Sequence, residues 1–318
     1  MHPRVDLTTR GFFVGAMDWR SMFYAQSRLR AGWRVLLYIA LFVPFAVVFV
    51  GVAALVAPAD GVGALAWQAC ALLAAALLAG RLLMSRLEHR PAGALGFAWT
   101  SHSARELGIG MAVGGVPLVL GVGALALAGW VEFRPDPGDA GSYAASLVSA
   151  LVALGVAAAW EEAVFRGYPF QVLVEALGPV AATLTMSAAF AVAHAGNPDV
   201  GMVALVNIFL AGVLLSVAYL RTRSLWFATA VHLGWNWTMG SVLDLPVSGL
   251  QTLDTPLYEP VITGPSWITG GNFGPEGGLT GSAAFALALL AVARLPMLEE
   301  APEMRALGPL VDRRLHVA

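Results

Sequence analysis

Residues 160–170 read WEEAVFRGYPF, and they close an apolar run, SLVSALVALGVAAAW (146–160), suited to lipid. Two adjacent glutamates and an arginine at the end of such a run need a reason, because ionisable groups inside a span are costly and usually mark function. Glu162 and Arg166 are four apart, so they share a helix face and can pair. Glu161 stands about 100° further round the helix. It points elsewhere and lacks that partner, which leaves it available as a general base.

The whole chain fits the setting this stretch implies. Its 318 residues are 58% hydrophobic and 12% charged, with a mean hydropathy of +0.73. A soluble domain carries about twice that charged fraction. The composition predicts an all-α, polytopic transmembrane helical bundle. A net charge of −2 gives no sign of a nucleic-acid partner, and none is expected. All 18 basic residues are arginine, which together with the alanine excess suggests a high-GC bacterial genome. The single cysteine, Cys70, excludes a disulfide framework and a multi-cysteine metal site. The polar, arginine-rich first 34 residues do not read as a cleavable signal peptide.

A helix needs about 20 apolar residues to cross the hydrocarbon core. About eight candidates emerge: 35–57, 62–84, 106–130, 143–165, 179–197, 200–220, 224–243 and 279–296. Arginines gather in alternate connections, and acids gather in the others, where Arg134 is the lone arginine. This asymmetry places both termini in the cytoplasm, and the expected location is a bacterial inner membrane. The chain divides into a basic cytoplasmic flank (1–34), N-terminal transmembrane helices (35–130), a core (143–243), an extracytoplasmic Gly/Pro-rich loop (244–278), and a last span with a cytoplasmic tail (279–318). Segment 16–34 reads either as a surface-lying element or as a flexible basic flank. The end of the long loop reads either as a gate or as a passive linker.

Only His194 and His232 among the six histidines fall within the candidate spans, with Glu161 and Glu162 as the buried acids and Asn207 and Asn236 as mid-span amides. The fourth helix is expected to continue past Arg166 to a turn at Gly178-Pro179. In such a hairpin Glu161 and His194 are equidistant from the turn, about 24 Å along each helix, and hence level. Pro169 bears against an unbroken helix. His232 and Asn236 are four apart on one face of the seventh helix. Asn207 is expected to bond between helices. Asn197 reads either as an orienter of His194 or as a helix-end cap. Trp226, Trp235 and Trp237 are expected chiefly in packing or interfacial roles.

These residues form three motifs in order: EExxxR (Glu161, Glu162, Arg166), FxxxH (Phe190, His194) and HxxxN (His232, Asn236). Over about 143–243 the chain resembles the CPBP, or Abi, family of intramembrane proteases. That family includes the type II CAAX prenyl endopeptidases (the Rce1-like enzymes) and bacteriocin-processing or immunity proteins. More loosely, RPAGALGF (90–97) and TGGNFGPEGG (269–278) resemble runs in bacterial members.

The resemblance implies an endopeptidase that hydrolyses peptide bonds within the membrane, acting on membrane-associated proteins or peptides. It assigns Glu161 and His194 to water activation, and His232 and Asn236 to the oxyanion. Glu162 and Arg166 would support the first motif. No cofactor is expected. The alternative is zinc at Glu161, His194 and His232, a metalloprotease set, although no HExxH pair is present. A non-enzymatic immunity or scaffold protein of the same fold and a proton-coupled transporter are the competing classes. A transporter predicts two pseudo-symmetric halves, and none are found.

Overall fold

The computed structural model describes residues 19–25, 28–58, 60–251 and 253–310. The remainder of the basic flank and tail lies outside the described residues, with His2, Arg4, Arg10, Arg313, Arg314 and His316.

The architecture is all-helical apart from two small antiparallel pairs. A one-turn helix α1 (Trp19–Phe23) leads into β1 (Tyr24–Ala25) and β2 (Arg28–Leu29). The described part of the 16–34 segment is thus a turn and a tight strand pair. Then come α2 (Ala31–Ala53), α3 (Gly61–Arg86), α4 (Ser103–Leu127), α5 (Ala140–Phe165), α6 (Tyr168–Ala193), α7 (Met202–Thr222) and α8 (Leu225–Trp237). A π-helical turn, Thr238–Val242, extends α8. The chain continues through α9 (Ser266–Thr269), α10 (Leu279–Arg294) and α11 (Pro302–Leu307). Every one of the eight candidate spans corresponds to a helix. Among the described residues five stretches are long and apolar enough to cross a membrane: α2, α3, α4, α5 and α6 taken together (Ala140–Ala193), and α7. Helix α10 has 16 residues and α8 has 13. Helix α8 is shorter because it is almost wholly enclosed by other helices, so protein rather than lipid accounts for its hydrophobicity. The exposed side chains of α2 are apolar, Val43, Val47 and Val48 among them, as a lipid-facing surface requires.

The expected continuous fourth helix is corrected here. Helix α5 ends at Phe165, and Gly167 leaves the helical region (φ −74°, ψ −131°). A Cβ on Gly167 would stand 2.2 Å from the Ala163 carbonyl oxygen, so this tight turn requires glycine. Pro169 then sits in the first turn of α6, where its missing N–H costs nothing. Helix α6 breaks again at Gly178 (φ 80°), as expected for Gly178-Pro179. It ends at Ala193, making His194 a helix cap and not a mid-helix residue. The equal-depth construction therefore loses its premise, because no unbroken hairpin joins Glu161 to His194.

Glycines set the closest helix contact. A Cβ on Gly114 of α4 would fall 2.1 Å from the Val231 carbonyl oxygen and 2.7 Å from the Trp235 amide of α8. On Gly110 it would fall 2.5 Å from Ala230 Cβ, and on Gly234 2.5 Å from the Met111 oxygen. Gly110 and Gly114 form a small-xxx-small pair that lets two backbones touch, as apolar driving force cannot do in lipid. This contact fixes α8, and with it His232.

One end of the bundle is laced by arginines. Arg34 pairs with Glu88 and Glu175, both at 2.6 Å, and Arg28 pairs with the same two acids. Tyr168 donates to Glu88 at 2.7 Å. Arg223 donates to Glu300 at 2.6 Å, and Arg90 donates to the carbonyls of Gly308 and Pro309, each at 2.6 Å. The start of α2 and the segment after α10 thus lie on the same face of the bundle. At the other end β3 (Val131–Pro135) pairs antiparallel with β4 (Tyr258–Ile262), an ordered element in what reads from sequence as loop.

Candidate active site

The first motif is held as a charge network. Glu162 and Arg166 are both fully buried, with Arg166 Nη1 at 3.1 Å from Glu162 Oε1. Arg166 also donates to the Gly212 carbonyl at 3.1 Å and lies 4.6 Å over the Phe190 ring. Glu162 Oε1 further accepts from His232 Nδ1 at 2.9 Å. With its Nδ1–H so committed, His232 turns Nε2 toward Glu161, 3.9 Å from Oε2. Glu161 Oε2 has no hydrogen-bond partner. The two adjacent glutamates therefore bracket one imidazole.

His194 donates Nδ1–H to the Phe190 carbonyl at 2.8 Å, which leaves Nε2 with its lone pair. Phe190 touches each part of the network. Its ring lies against Arg166, 4.6 Å from the His194 ring and 6.1 Å from the His232 ring. The sequence gives Phe190 as a motif letter, and packing gives the reason for it.

Glu161, His194, His232 and Asn236 all line one cavity of about 1130 Å³. Among the described residues no ion pair joins Glu161 to His194; both line this space. The cavity reaches Asp136, Asp244, Asp254 and Glu259 beside the strand pair. Burial pushes the Asp244 carboxyl up to about 6, against hydrogen bonds from Thr255 that lower it.

Four buried acids missing from the sequence reading also emerge: Glu88, Glu106, Glu175 and Glu276. Glu276 matters most here, because it lines the same cavity at 4% exposure. Trp235 Nε1 donates to its Oε1 at 2.9 Å, and Ser248 Oγ to its Oε2 at 2.6 Å. The run 269–278 is ordered as short 3-10 turns, Gly271–Phe273 and Pro275–Gly277. Asn207 clamps it, donating to the Glu276 and Gly278 carbonyls at 2.7 and 2.9 Å and accepting from Ser282 of α10 at 2.7 Å. Asn207 thus bonds between helices as expected, and to this loop besides. Asn197 does neither of its expected jobs by side chain: it donates to the Ser248 carbonyl at 2.9 Å. Trp226 and Trp237 donate to the Phe97 and Leu147 carbonyls in packing roles.

Among the described residues no three His, Cys, Asp or Glu side chains stand close enough together to hold a metal ion. Cys70 is exposed on α3, away from the cavity.

Residues 143–238 match the family model described as type II CAAX prenyl endopeptidase Rce1-like. The matched span contains all three motifs, and over these residues the chain is similar to that CAAX-type endopeptidase family. No curated protein matches the chain.

Proposed function

We propose that this chain is an intramembrane endopeptidase in which Glu161 and His194 activate a water molecule. The single observation that carries the reading is the convergence of Glu161, His194, His232 and Asn236 on one cavity, although they come from three helices. Glu161 has a free carboxylate oxygen and His194 a free ring nitrogen on that space. Water between them loses a proton to Glu161 as its oxygen bonds to the peptide carbonyl carbon. The C–N bond then breaks, and the proton passes to the leaving nitrogen. His232 Nε2 and the Asn236 amide are the donors for the oxyanion, a role for which each donor in a dry site contributes about 3–4 kcal/mol. With Nδ1–H held by Glu162, the ring donates from Nε2 only when doubly protonated, and Glu161 is the group beside it that exchanges that proton.

Zinc at Glu161, His194 and His232 is the weaker alternative, since these three do not form a compact ligand set among the described residues, and no step here is routed through a metal. Substrates are membrane-associated proteins or peptides. The shared face of the α2 start and the C-terminal segment supports placing both termini on one side, which the arginine distribution makes the cytoplasm of a bacterial inner-membrane protein.

The test compares wild type with Glu161→Gln in lipid nanodiscs. Each is incubated with a bacterial membrane-protein extract, with and without chelator, and new peptide termini are mapped by mass spectrometry. Termini that need Glu161 and persist in chelator are expected. Loss in chelator would move the chemistry to a metal. A cellular phenotype that survives Glu161→Gln, with no new termini from either protein, would make the chain a scaffold.

A further inference from the structure

The cavity that holds Glu161 and His194 carries more charge than the hydrolysis uses. Among the described residues six carboxylates line it, Asp136, Glu161, Asp244, Asp254, Glu259 and Glu276, and no arginine does. Elsewhere the chain neutralises its clustered acids itself. Glu88 and Glu175 have Arg28 and Arg34, Glu162 has Arg166, and Glu300 has Arg223. Among the described residues Asp136, Asp244, Asp254 and Glu259 form no such pair. Arg134 stands opposite Glu259 across the strand pair, but its ion pair is with Glu132, at 3.0 Å.

These four acids share one end of the cavity. Asp136 follows β3 and Glu259 belongs to β4. Asp254 and Glu259 are exposed, while Asp136 and Asp244 are half-buried, so water reaches the cavity here. The backbone ties this end to the catalytic groups. His232 and Asn236 are on α8, and the π-helical turn Thr238–Val242 continues α8 toward Asp244. Asp244 is eight residues past Asn236, at most about 12 Å along the axis at 1.5 Å per residue. The Thr255 amide donates to the Asp244 carboxylate at 3.0 Å and fixes it. Burial raises the Asp244 carboxyl, and the charges of Asp254 and Glu259 add to that rise. A cleft lined by one sign of charge concentrates the opposite sign. Deeper in the same space, Glu161 Oε2 is buried without a partner, so the acidic end leads to an oxygen that a bound group must satisfy.

We propose that Asp136, Asp244, Asp254 and Glu259 determine specificity, and that the substrate is a peptide segment with an arginine or lysine within about four residues of the scissile bond, the number that spans about 12 Å when extended. The basic side chain lies among these carboxylates while the scissile carbonyl lies at His232 and Asn236. The proposal rests on the protease reading above and names its substrate class. The arginine distribution makes this end extracytoplasmic, so the basic residue belongs to the part of the substrate on that face.

The experiment uses the full chain in nanodiscs of zwitterionic lipid, so that no anionic headgroup competes for the peptide. A fluorogenic peptide spanning a cleavage site mapped with wild type is made with arginine, glutamine or glutamate at each position near the scissile bond. At the best position, wild-type kcat/KM is expected to be about tenfold higher for arginine than for glutamine, chiefly through KM. Glutamate should be slower again, and the differences should shrink in about 0.5 M salt. Asp254→Asn/Glu259→Gln should bring the arginine-to-glutamine ratio to within about twofold of one, and Asp254→Arg/Glu259→Arg should favour glutamate. The ratio is internal to each preparation, so a loss of folded protein does not move it. Equal wild-type rates for arginine and glutamine at every position, or a ratio that the double neutral variant leaves intact, would overturn the proposal. Equal rates together with a wild-type melting temperature raised by calcium chloride alone, and not raised in that variant, would make the acids a cation site instead. Each of these results leaves the protease reading intact if Glu161→Gln cleaves none of the peptides. Wild type that releases no termini dependent on Glu161 would instead remove the reading on which the inference stands.

Discussion

His232 Nδ1 lies 2.9 Å from Glu162 Oε1, on the same oxygen that Arg166 holds at 3.1 Å. One carboxylate oxygen thereby joins the first motif to the third, and all three side chains are buried. Removing one member of such a set leaves a buried charge uncompensated, which costs about 3–5 kcal/mol. Arg166→Met and Glu162→Gln are each expected to lower the melting temperature in nanodiscs sharply. The double variant should lose less than the sum of the two, as coupled neighbours do. Additive losses would show that the pair is not a unit.

Gly114→Ala should separate α4 from α8, since the new Cβ would meet the Val231 carbonyl oxygen at 2.1 Å. Overpacking of this kind costs about 1–3 kcal/mol or more. The shift of α8 carries His232 with it, so cleavage should fall along with thermal stability. An unaltered melting temperature would contradict the contact.

His194→Ala removes a half-buried ring with one local hydrogen bond. Its effect on stability should be small. Turnover should drop about 10²- to 10⁴-fold, the range for loss of a proton-transfer group. Equal losses in stability and turnover would make His194 a packing residue.

Asn207→Leu leaves the Glu276 and Gly278 carbonyls and the Ser282 hydroxyl without their partner. Each unsatisfied buried group costs about 1–3 kcal/mol. Amide hydrogen exchange should rise at 270–278 before it rises in α7. Unchanged exchange there would show that the loop is held by other means.

Asp244 makes stability depend on pH. Its carboxyl is raised from 3.8 to about 6 in the folded chain by burial, so the folded state binds its proton more tightly than the unfolded state does. The resulting stabilisation is complete below the unfolded value and is lost as pH rises through about 6. Wild type is therefore expected to melt at progressively lower temperature from pH 4 to 6.5. Asp244→Asn should lack that component. Parallel curves for the two proteins would refute the assignment.

Much of the bundle is legible in the chain because lipid enforces a simple rule: a span must be a long apolar helix with its backbone bonds internal. The eight candidates follow from that rule alone. The break at Gly167 does not, because it turns on a backbone packed so closely that a Cβ there would stand 2.2 Å from the Ala163 carbonyl oxygen, which no pattern of hydropathy reports. Glu88 and Glu175 are equally silent in sequence. They read as ordinary flank residues, and only folding brings them to Arg28 and Arg34.

By itself the sequence determined the helical bundle, the pairing of Glu162 with Arg166 and the identity of the three motifs, since spacing along one helix and the cost of charge in lipid are local facts. Tertiary structure alone decided which glutamate His232 bonds, that Glu161 and His194 line one cavity without an unbroken hairpin between them, and that Glu276 lines it too. Those placements gather residues up to 115 apart in sequence, Glu161 and Glu276, on one cavity. They depend on glycine-mediated helix approach and on a loop clamped by Asn207, neither of which has a period that can be read along the chain.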